Sequence, residues 1–278
     1  MGYQFGVSEF VHQRLLTELS AAELRLSAAL ARPRRVALAC IVVLTGFGWL
    51  ALGLMAAADG TGWGSLAALC RLYPPGGLAA FAVAVPMWAA MALAMMLPTA
   101  GPMILTYAEI ADTAARKGEA VVAPLVLVAG YVAVWLGFAL VAAALLWALA
   151  GAGLLQADKV GLLFAGTIVL FAGLYQFSAV KQACLTLCQR PFPFFFANWT
   201  TKPAGVLRLG LRQGLYCLGC CAALMLIMFA VGVMNVVWMA ALGVVMTVEK
   251  MTTSPRFSHV VGSILIAIGF GLVAASVL

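Results

Sequence analysis

Five of the seven cysteines fall in one segment, residues 181–225. They form two groups, spaced i, i+4 and i, i+3, i+4: Cys184 and Cys188 in the first, Cys217, Cys220 and Cys221 in the second. On an α-helix these spacings place each group on one helix face. Thiolates are soft ligands, so two such faces on neighbouring helices could bind one soft ion. The pattern therefore predicts a metal site in which these five cysteines supply the ligands.

The same cysteines have a simpler interpretation, because cysteine is a small apolar residue that packs well between membrane helices. The methionines allow the same two interpretations, packing and metal ligation. Met is usually a packing residue, but its thioether also favours Cu(I). Three of them recur at i, i+4 and i+8, and two more share the helix face of Cys221. The methionines predicted as secondary ligands, or as markers of a route through the bilayer, are Met87, Met91, Met95, Met225 and Met228.

Several polar residues near the cysteines are candidates for hydrogen bonds that orient or polarise sulfur ligands. Two cations beside the first cysteine pair, Lys181 and Arg190, are expected to favour the thiolate form that a metal binds. The residues predicted to support the site are Tyr175, Gln176, Lys181, Asn235 and Glu249.

The composition indicates what must position these side chains. Hydrophobic residues make up 65% of the chain and charged residues 9%, with a mean hydropathy of +1.10. A soluble domain carries about 25% charged residues. The chain is therefore predicted to be all-α, a polytopic transmembrane helical bundle. The net charge of +7 could indicate nucleic-acid binding, but the basic residues are scattered over predicted loops, so no nucleic-acid partner is expected.

The apolar runs predict about seven spans. In residue numbers these are approximately 36–58, 78–107, 121–150, 160–180, 213–231, 232–248 and 260–278. Residues 1–35 are predicted to form a cytoplasmic N-terminal segment with an amphipathic helix at 8–31, and residues 36–278 the transmembrane domain. No short apolar segment precedes the first span, which is therefore expected to act as an uncleaved signal anchor.

Three details of this arrangement are testable in the structure. Pro86, Pro98 and Pro102 predict that the second span is kinked or broken. Charged residues predict a loop at 109–119, and a run of aromatic and basic residues predicts a long cytoplasmic loop at 181–212.

The basic residues also indicate which side the loops face. With seven spans, all of the 16 Lys and Arg residues except Arg71 and Lys159 fall on one side. The positive-inside rule makes that side cytoplasmic, with the N-terminus inside. The cysteines then lie near the cytoplasmic face of the inner membrane, where thiols stay reduced, so metal binding is favoured over disulfides.

The sequence lacks the residues that several other membrane functions require. A haem held by two histidines needs them within the membrane, but His12 and His259 lie near helix ends or in loops. The chain contains no nucleotide-binding loop and no hydrolase motif, and it shows no flavin signature. No haem, flavin or nucleotide is predicted.

The chain resembles the predicted metal-binding integral membrane proteins, a family of unknown function. The resemblance covers about 87–278, and it implies a metal site. Two positions depart from the family pattern: Gln213 replaces a frequent histidine, which removes a possible ligand, and Ala222 replaces a frequent tryptophan. The main motifs are A-M-M-L-P at 94–98, G-Y-V-A-V-W at 130–135, K-Q-A-C-L-T-L-C at 181–188, G-L-Y-C-L-G-C-C-A-A-L-M at 214–225 and G-V-M-N-V-V-W-M at 232–239, followed by Glu249-Lys250.

The sequence therefore predicts a multi-pass protein of the cytoplasmic membrane that binds Cu(I) in preference to Zn(II), for metal handling or transport. Membrane lipid and a membrane or soluble metal or redox protein are the expected partners. Two alternatives stay open: an oxidoreductase subunit in which the cluster is a metal or redox centre, and a structural subunit of a larger membrane complex. No residue is assigned a catalytic role.

Overall fold

The computed structural model describes residues 33–58, 77–152, 159–231 and 236–277, which are helical apart from short turns and connections. The predicted all-α class is thus confirmed for these ranges. The predicted helix at 8–31 and the supporting residue Asn235 lie outside them. The helices are α1 Pro33–Ala58, α2 Gly77–Thr99, α3 Gly101–Arg116, α4 Pro124–Gly151, α5 Lys159–Tyr175, α6 Ala179–Gln189, α7 Pro191–Ala197, α8 Pro203–Leu226, α9 Met228–Val231, α10 Val236–Met251 and α11 Arg256–Val277.

Among the described helices, five stretches are long and apolar enough to cross a membrane: Arg34–Met55, Phe81–Thr99, Pro124–Gly151, Pro203–Ala230 and Arg256–Val277. A sixth arises if α5 and α6, which are bent by 64° relative to each other, form one broken span. The predicted sixth span corresponds to α10, which has only 16 residues, whereas a crossing helix needs about 20. The count of seven and the side of the N-terminus therefore stay predictions.

The proline-rich second span is broken, as predicted. α2 ends at Thr99 and α3 begins at Gly101, because Pro98 and Pro102 have no N–H to donate to the preceding turn. The prediction of a charged loop at 109–119 was wrong, since α3 continues to Arg116. Asp112 and Arg116 form an ion pair one turn apart, and the basic residue favours the C-terminal end of the helix.

The loop predicted at 181–212 is also largely helical, being made of α6, α7 and the first turns of α8. α6 begins after Ser178, whose hydroxyl accepts a hydrogen bond from the backbone N–H of Lys181 at 3.1 Å. Pro203 opens α8, a position where its missing N–H costs nothing. The cysteines of α6 are therefore held on a rigid element.

Pro98, the second of two prolines in α2, leaves a carbonyl without its donor, and α1 supplies another. Pro98 cannot donate to the carbonyl of Ala94, and the indole N–H of Trp49 in α1 donates to that oxygen instead, at 3.2 Å. The two helices meet closely here, because a Cβ added at Gly48 would lie 2.7 Å from the backbone nitrogen of Ala94. α1 thus stabilises the helix that carries the broken turn.

α4 and α8 cross with their backbones in contact. A Cβ at Gly130 would lie 2.3 Å from the carbonyl oxygen of Leu207, and one at Gly210 would lie 2.1 Å from that of Leu127. No side chain fits at either position, so glycine is what permits the approach. The crossing places Tyr131, next to Gly130, against α8.

We expect Gly130→Ala to destabilise the protein by about 1–3 kcal/mol or more, because the clashing atom belongs to the backbone and cannot rotate away. Gly137→Ala on the same helix is the matched control, since no heavy atom lies within 4 Å of its Cβ position. Thermal unfolding in detergent measures both variants. Equal melting temperatures for the two would contradict the close crossing.

Candidate metal centre

Three of the predicted ligands, Cys217, Cys220 and Cys221 of α8, converge. Their sulfur atoms all lie within 4.8 Å of one another, and the residues are at most 2% exposed. The sulfurs of Cys220 and Cys221 are 3.4 Å apart. A zinc–thiolate bond is roughly 2.3 Å long, which puts two sulfurs on one ion about 4 Å apart. The three thiols are thus close to the spacing that a shared soft ion requires.

The two cysteines of α6 differ in what they reach. The sulfur of Cys188 lies 3.9 Å from that of Cys220 and extends the cluster to four thiols. Cys184 instead packs on the backbone of α8, where a Cβ added at Gly219 would lie 2.6 Å from its sulfur. Four of the five predicted ligands are therefore brought together, and Cys184 lies beside them against Gly219.

The sulfur of Cys217 contacts hydrogen-bonding groups from two other helices, α10 and α4, and each of these groups also bonds to α2. The ammonium of Lys250 in α10 donates to it at 3.0 Å and to the hydroxyl of Thr99 at 2.7 Å. The phenol oxygen of Tyr131 lies 3.0 Å from the same sulfur and donates to the carbonyl of Met96 at 3.0 Å. An ammonium beside a sulfur favours its thiolate form, so Cys217 is prepared to bind a cation.

Lys181 does not have the role that its position in the sequence indicated. Its ammonium donates to both carboxylate oxygens of Glu249, at 3.0 and 2.8 Å, and the two side chains are only 1% and 2% exposed. Arg190 is exposed. Lys250 is thus the cation at the thiol cluster, and the expectation that Lys181 acts directly on the thiols was wrong.

The buried pair has a structural consequence, because it joins α6 to the end of α10. The side-chain amide of Gln189 adds two bonds, to the carbonyls of Glu249 at 2.9 Å and Thr252 at 2.7 Å. Glu249 and Lys250 are adjacent in α10. Glu249 binds Lys181 of α6, and Lys250 binds the sulfur of Cys217, so one turn of α10 contacts both parts of the site. This turn fixes Cys188 relative to the other thiols.

Residues 85–272 of the 278-residue chain match the family described as PpoB2, copper chaperone. The chain belongs to the PpoB2 copper chaperone family. No curated protein and no solved structure matches the chain. The region that matches the family contains the four clustered thiols, Tyr131 and Lys250, so the whole constellation falls within it. Membership agrees with the metal-binding family that the motifs indicated and points to copper as the metal.

Sequence reasoning missed three residues of this copper-chaperone region: Thr99, Tyr131 and Lys250. Tyr131 and Lys250 were visible in motifs, G-Y-V-A-V-W and Glu249-Lys250, but nothing local connects those motifs to Cys217. Their contact depends on the crossing of α4 with α8 and on the approach of α10. The available signal was the charged pair Glu249-Lys250 at the end of the apolar run 236–248, because charged residues of a span are usually functional or paired.

Among the other polar residues near the cysteines in the sequence, Tyr175 is partly buried against α8, whereas Gln176 and Gln213 are almost completely buried. The hydroxyl of Tyr175 donates to the carbonyl of Gly219 at 2.7 Å, which fixes the turn of α8 that carries the cysteines. The side-chain amide of Gln176 is fully buried and has no partner for its nitrogen or oxygen among the described residues. Gln213, one turn before Cys217, is 2% exposed, and its amide nitrogen also lacks a partner there.

The predicted methionines are all buried, with exposures of 0–3%. Met87, Met91 and Met95 lie on α2, and Met225 and Met228 lie on α8 and α9. Met95 packs against α10, its side chain 3.7 Å from the Cβ position of Gly243. This burial is compatible with both roles considered for them, packing and secondary ligation.

Proposed function

We propose that this chain is an integral membrane protein that binds Cu(I) through Cys217, Cys220 and Cys221 and passes it to a partner protein. The observation that carries the proposal is the buried group of three thiols within 4.8 Å of one another. Sulfur ligands match the soft Cu(I) ion, and the copper chaperone family supports the same cargo. The partner is a metal or redox protein that supplies or accepts the copper.

The charges around the cluster support a bound cation. Buried thiolates carry negative charge that is costly away from water unless it is compensated. Cu(I) carries one positive charge and the Lys250 ammonium, 3.0 Å from Cys217, carries another. The two positive charges, on Cu(I) and Lys250, balance the two negative charges of a pair of thiolates. The third cysteine can then remain a neutral thiol and still donate a sulfur lone pair to the copper. Tyr131 and Thr99 then orient the sulfur and the ammonium.

The basic residues of α8 support a position of the cluster near the cytoplasmic surface of the membrane. Arg208 and Arg212 are exposed, and charged side chains of this kind lie at a membrane surface rather than in its apolar interior. Cys217 is five residues beyond Arg212, about 8 Å along the helix axis. We place this end of α8 in the cytoplasm of a cell whose inner membrane the chain crosses several times, with the N-terminus on the same side. Reduced thiols are then maintained by the compartment.

The protein purified in detergent without oxygen is expected to bind one Cu(I) per chain, and an equal amount of Zn(II) should leave that copper in place. The reason is the match between Cu(I) and sulfur ligands without an imidazole. Competition with a chromophoric Cu(I) chelator measures the affinity, and elemental analysis measures the stoichiometry.

Three results would contradict this proposal. Displacement of Cu(I) by Zn(II) would make the site a zinc site. A redox-active chromophore in the purified protein would favour an oxidoreductase subunit. Failure to bind any metal in stoichiometric amount would favour a structural subunit, in which the cysteines serve only close helix packing.

A further inference from the structure

The four thiols of the cluster differ in accessibility. Cys217, Cys220 and Cys221 are 1–2% exposed, whereas Cys188 is partly exposed. The sulfurs form a sequence of short steps, 3.9 Å from Cys188 to Cys220 and 3.4 Å from Cys220 to Cys221. The cluster thus has an outer end at Cys188 and an inner, fully buried part.

The outer end lies where α6 reaches an exposed charged residue. Arg190 follows Cys188 by two residues and is exposed, which places this end of α6 near water if the chain spans a membrane. The inner part of the cluster is closed, because Cys217 is 2% exposed and Lys250 and Tyr131 contact its sulfur. A metal carrier in the adjoining aqueous phase can therefore approach the cluster at Cys188.

Cys188 is held in position for such an approach. The neighbouring Gln189 bonds to the backbone of α10 at 2.9 and 2.7 Å, and the buried pair of Lys181 with Glu249 joins the same two helices. The sulfur of Cys188 is thereby kept at 3.9 Å from Cys220. Cys188 is partly exposed, and its sulfur is also close to a buried ligand, Cys220. It can therefore exchange a metal ion between the aqueous phase and the buried cysteines.

We propose that Cys188 is the transfer thiol through which Cu(I) passes between a thiolate-bearing carrier and the buried cysteines, an inference that rests on the proposed function. The Cys188 sulfur forms a bond to Cu(I) while the bond from the carrier sulfur breaks, and the Cys188 proton goes to the departing carrier thiolate. Cys220 then forms a bond to the copper as the bond to Cys188 breaks, and the Cys220 proton passes to the departing Cys188 thiolate, which becomes a thiol again. Copper stays Cu(I) throughout, so no oxidant or reductant is required.

Cys184 provides a matched comparison on the same helix. It is also partly exposed and lies four residues, about one turn, before Cys188, but its sulfur packs against Gly219 and not against the other thiols. Both cysteines are thus partly exposed, and they differ in whether the sulfur contacts the other thiols. Cys188 is therefore expected to transfer Cu(I), and Cys184 is not.

The experiment uses the full chain in detergent, without oxygen, with the Cu(I)–glutathione complex as the donor. We expect Cys188→Ser to slow copper loading by about tenfold or more, because ligand exchange between thiols depends on access to the attacking sulfur. The amount of copper bound at equilibrium should remain within about twofold, since the buried ligands are intact. Cys188→Met, which restores a sulfur donor, should recover part of the rate, and Cys184→Ser should load like the unaltered protein.

The outcomes separate this proposal from the one on which it rests. An unaltered protein that binds no Cu(I) would refute the proposed function. An unaltered protein that binds Cu(I), with Cys188→Ser loading at the unaltered rate or Cys184→Ser slowed to the same extent, would refute the transfer role alone. Loss of equilibrium binding in Cys188→Ser, with the fold retained by circular dichroism, would also refute it, because Cys188 would then be a permanent ligand.

Discussion

Cys220→Ala should abolish most of the Cu(I) affinity of the protein. Cys220 is the central thiol of the cluster, with its sulfur 3.4 Å from that of Cys221 and 3.9 Å from that of Cys188. Its removal leaves the inner thiols short of one ligand and disconnects the outer one. We expect the affinity to fall by more than the roughly 10–100-fold that follows loss of a supporting hydrogen-bond partner. Anaerobic competition with a Cu(I) chelator measures the change.

Two further variants make this test specific. Cys40→Ala removes a partly exposed cysteine of α1 that is not part of the cluster, and it should bind Cu(I) like the unaltered protein. Cys217→Ala should resemble Cys220→Ala, and combining these two changes should cost little more than either alone, because both act on one ligand set. If Cys220→Ala retains the unaltered affinity, or if the two losses add, the three thiols do not form one site.

Glu249→Gln should lower the free energy of unfolding by about 3–5 kcal/mol, because it leaves the ammonium of Lys181 buried without its counter-charge. Both side chains of this pair are nearly inaccessible, at 1% and 2% exposure. The pair also joins α6 to α10, so we expect the same change to weaken Cu(I) binding by moving Lys250 away from the sulfur of Cys217. Thermal unfolding in detergent and the chelator competition measure the two effects.

The control for this change is a carboxylate of the same type on the surface. Glu109 lies 3.7 Å from Arg34, and both side chains are more than half exposed. Surface pairs of this kind contribute little, so Glu109→Gln should unfold like the unaltered protein. Replacing both members of the buried pair, Lys181→Met with Glu249→Leu, should recover much of the lost stability. A Glu249→Gln protein as stable as the Glu109→Gln protein would show that the buried pair is not a structural requirement.

The sequence was informative wherever the interaction is local. The helical spacing of Cys217, Cys220 and Cys221 predicted a shared face, and the structure brings their sulfurs together. The break between α2 and α3 followed from Pro98 and Pro102 in the same way, since a missing N–H acts within one turn.

The sequence was misleading where distant segments decide the outcome. Lys181 lies close to the first cysteine pair, but Glu249 binds its ammonium, and Lys250 contacts Cys217 instead. Cys184 and Cys188 are equivalent in sequence, and only the position of α6 on α8 separates them. The charged segments predicted as loops, 109–119 and 181–212, are largely helical. Most of their charged side chains are exposed, and Lys181 is buried only because Glu249 pairs with it, which composition alone does not reveal.

The bond between Trp49 and the carbonyl of Ala94 affects what could serve as a minimal functional fragment. Pro98 and Ala94 lie inside the region shared with the family, 85–272, but Trp49 lies before it. A fragment trimmed to that region would leave the Ala94 carbonyl without a donor, in a helix that also carries Thr99, the hydroxyl partner of Lys250. An unpaired polar group in an apolar environment is costly, so the trimmed fragment would begin with a defect beside its binding site. α1 is therefore part of the smallest unit that can be expected to hold the cluster in shape.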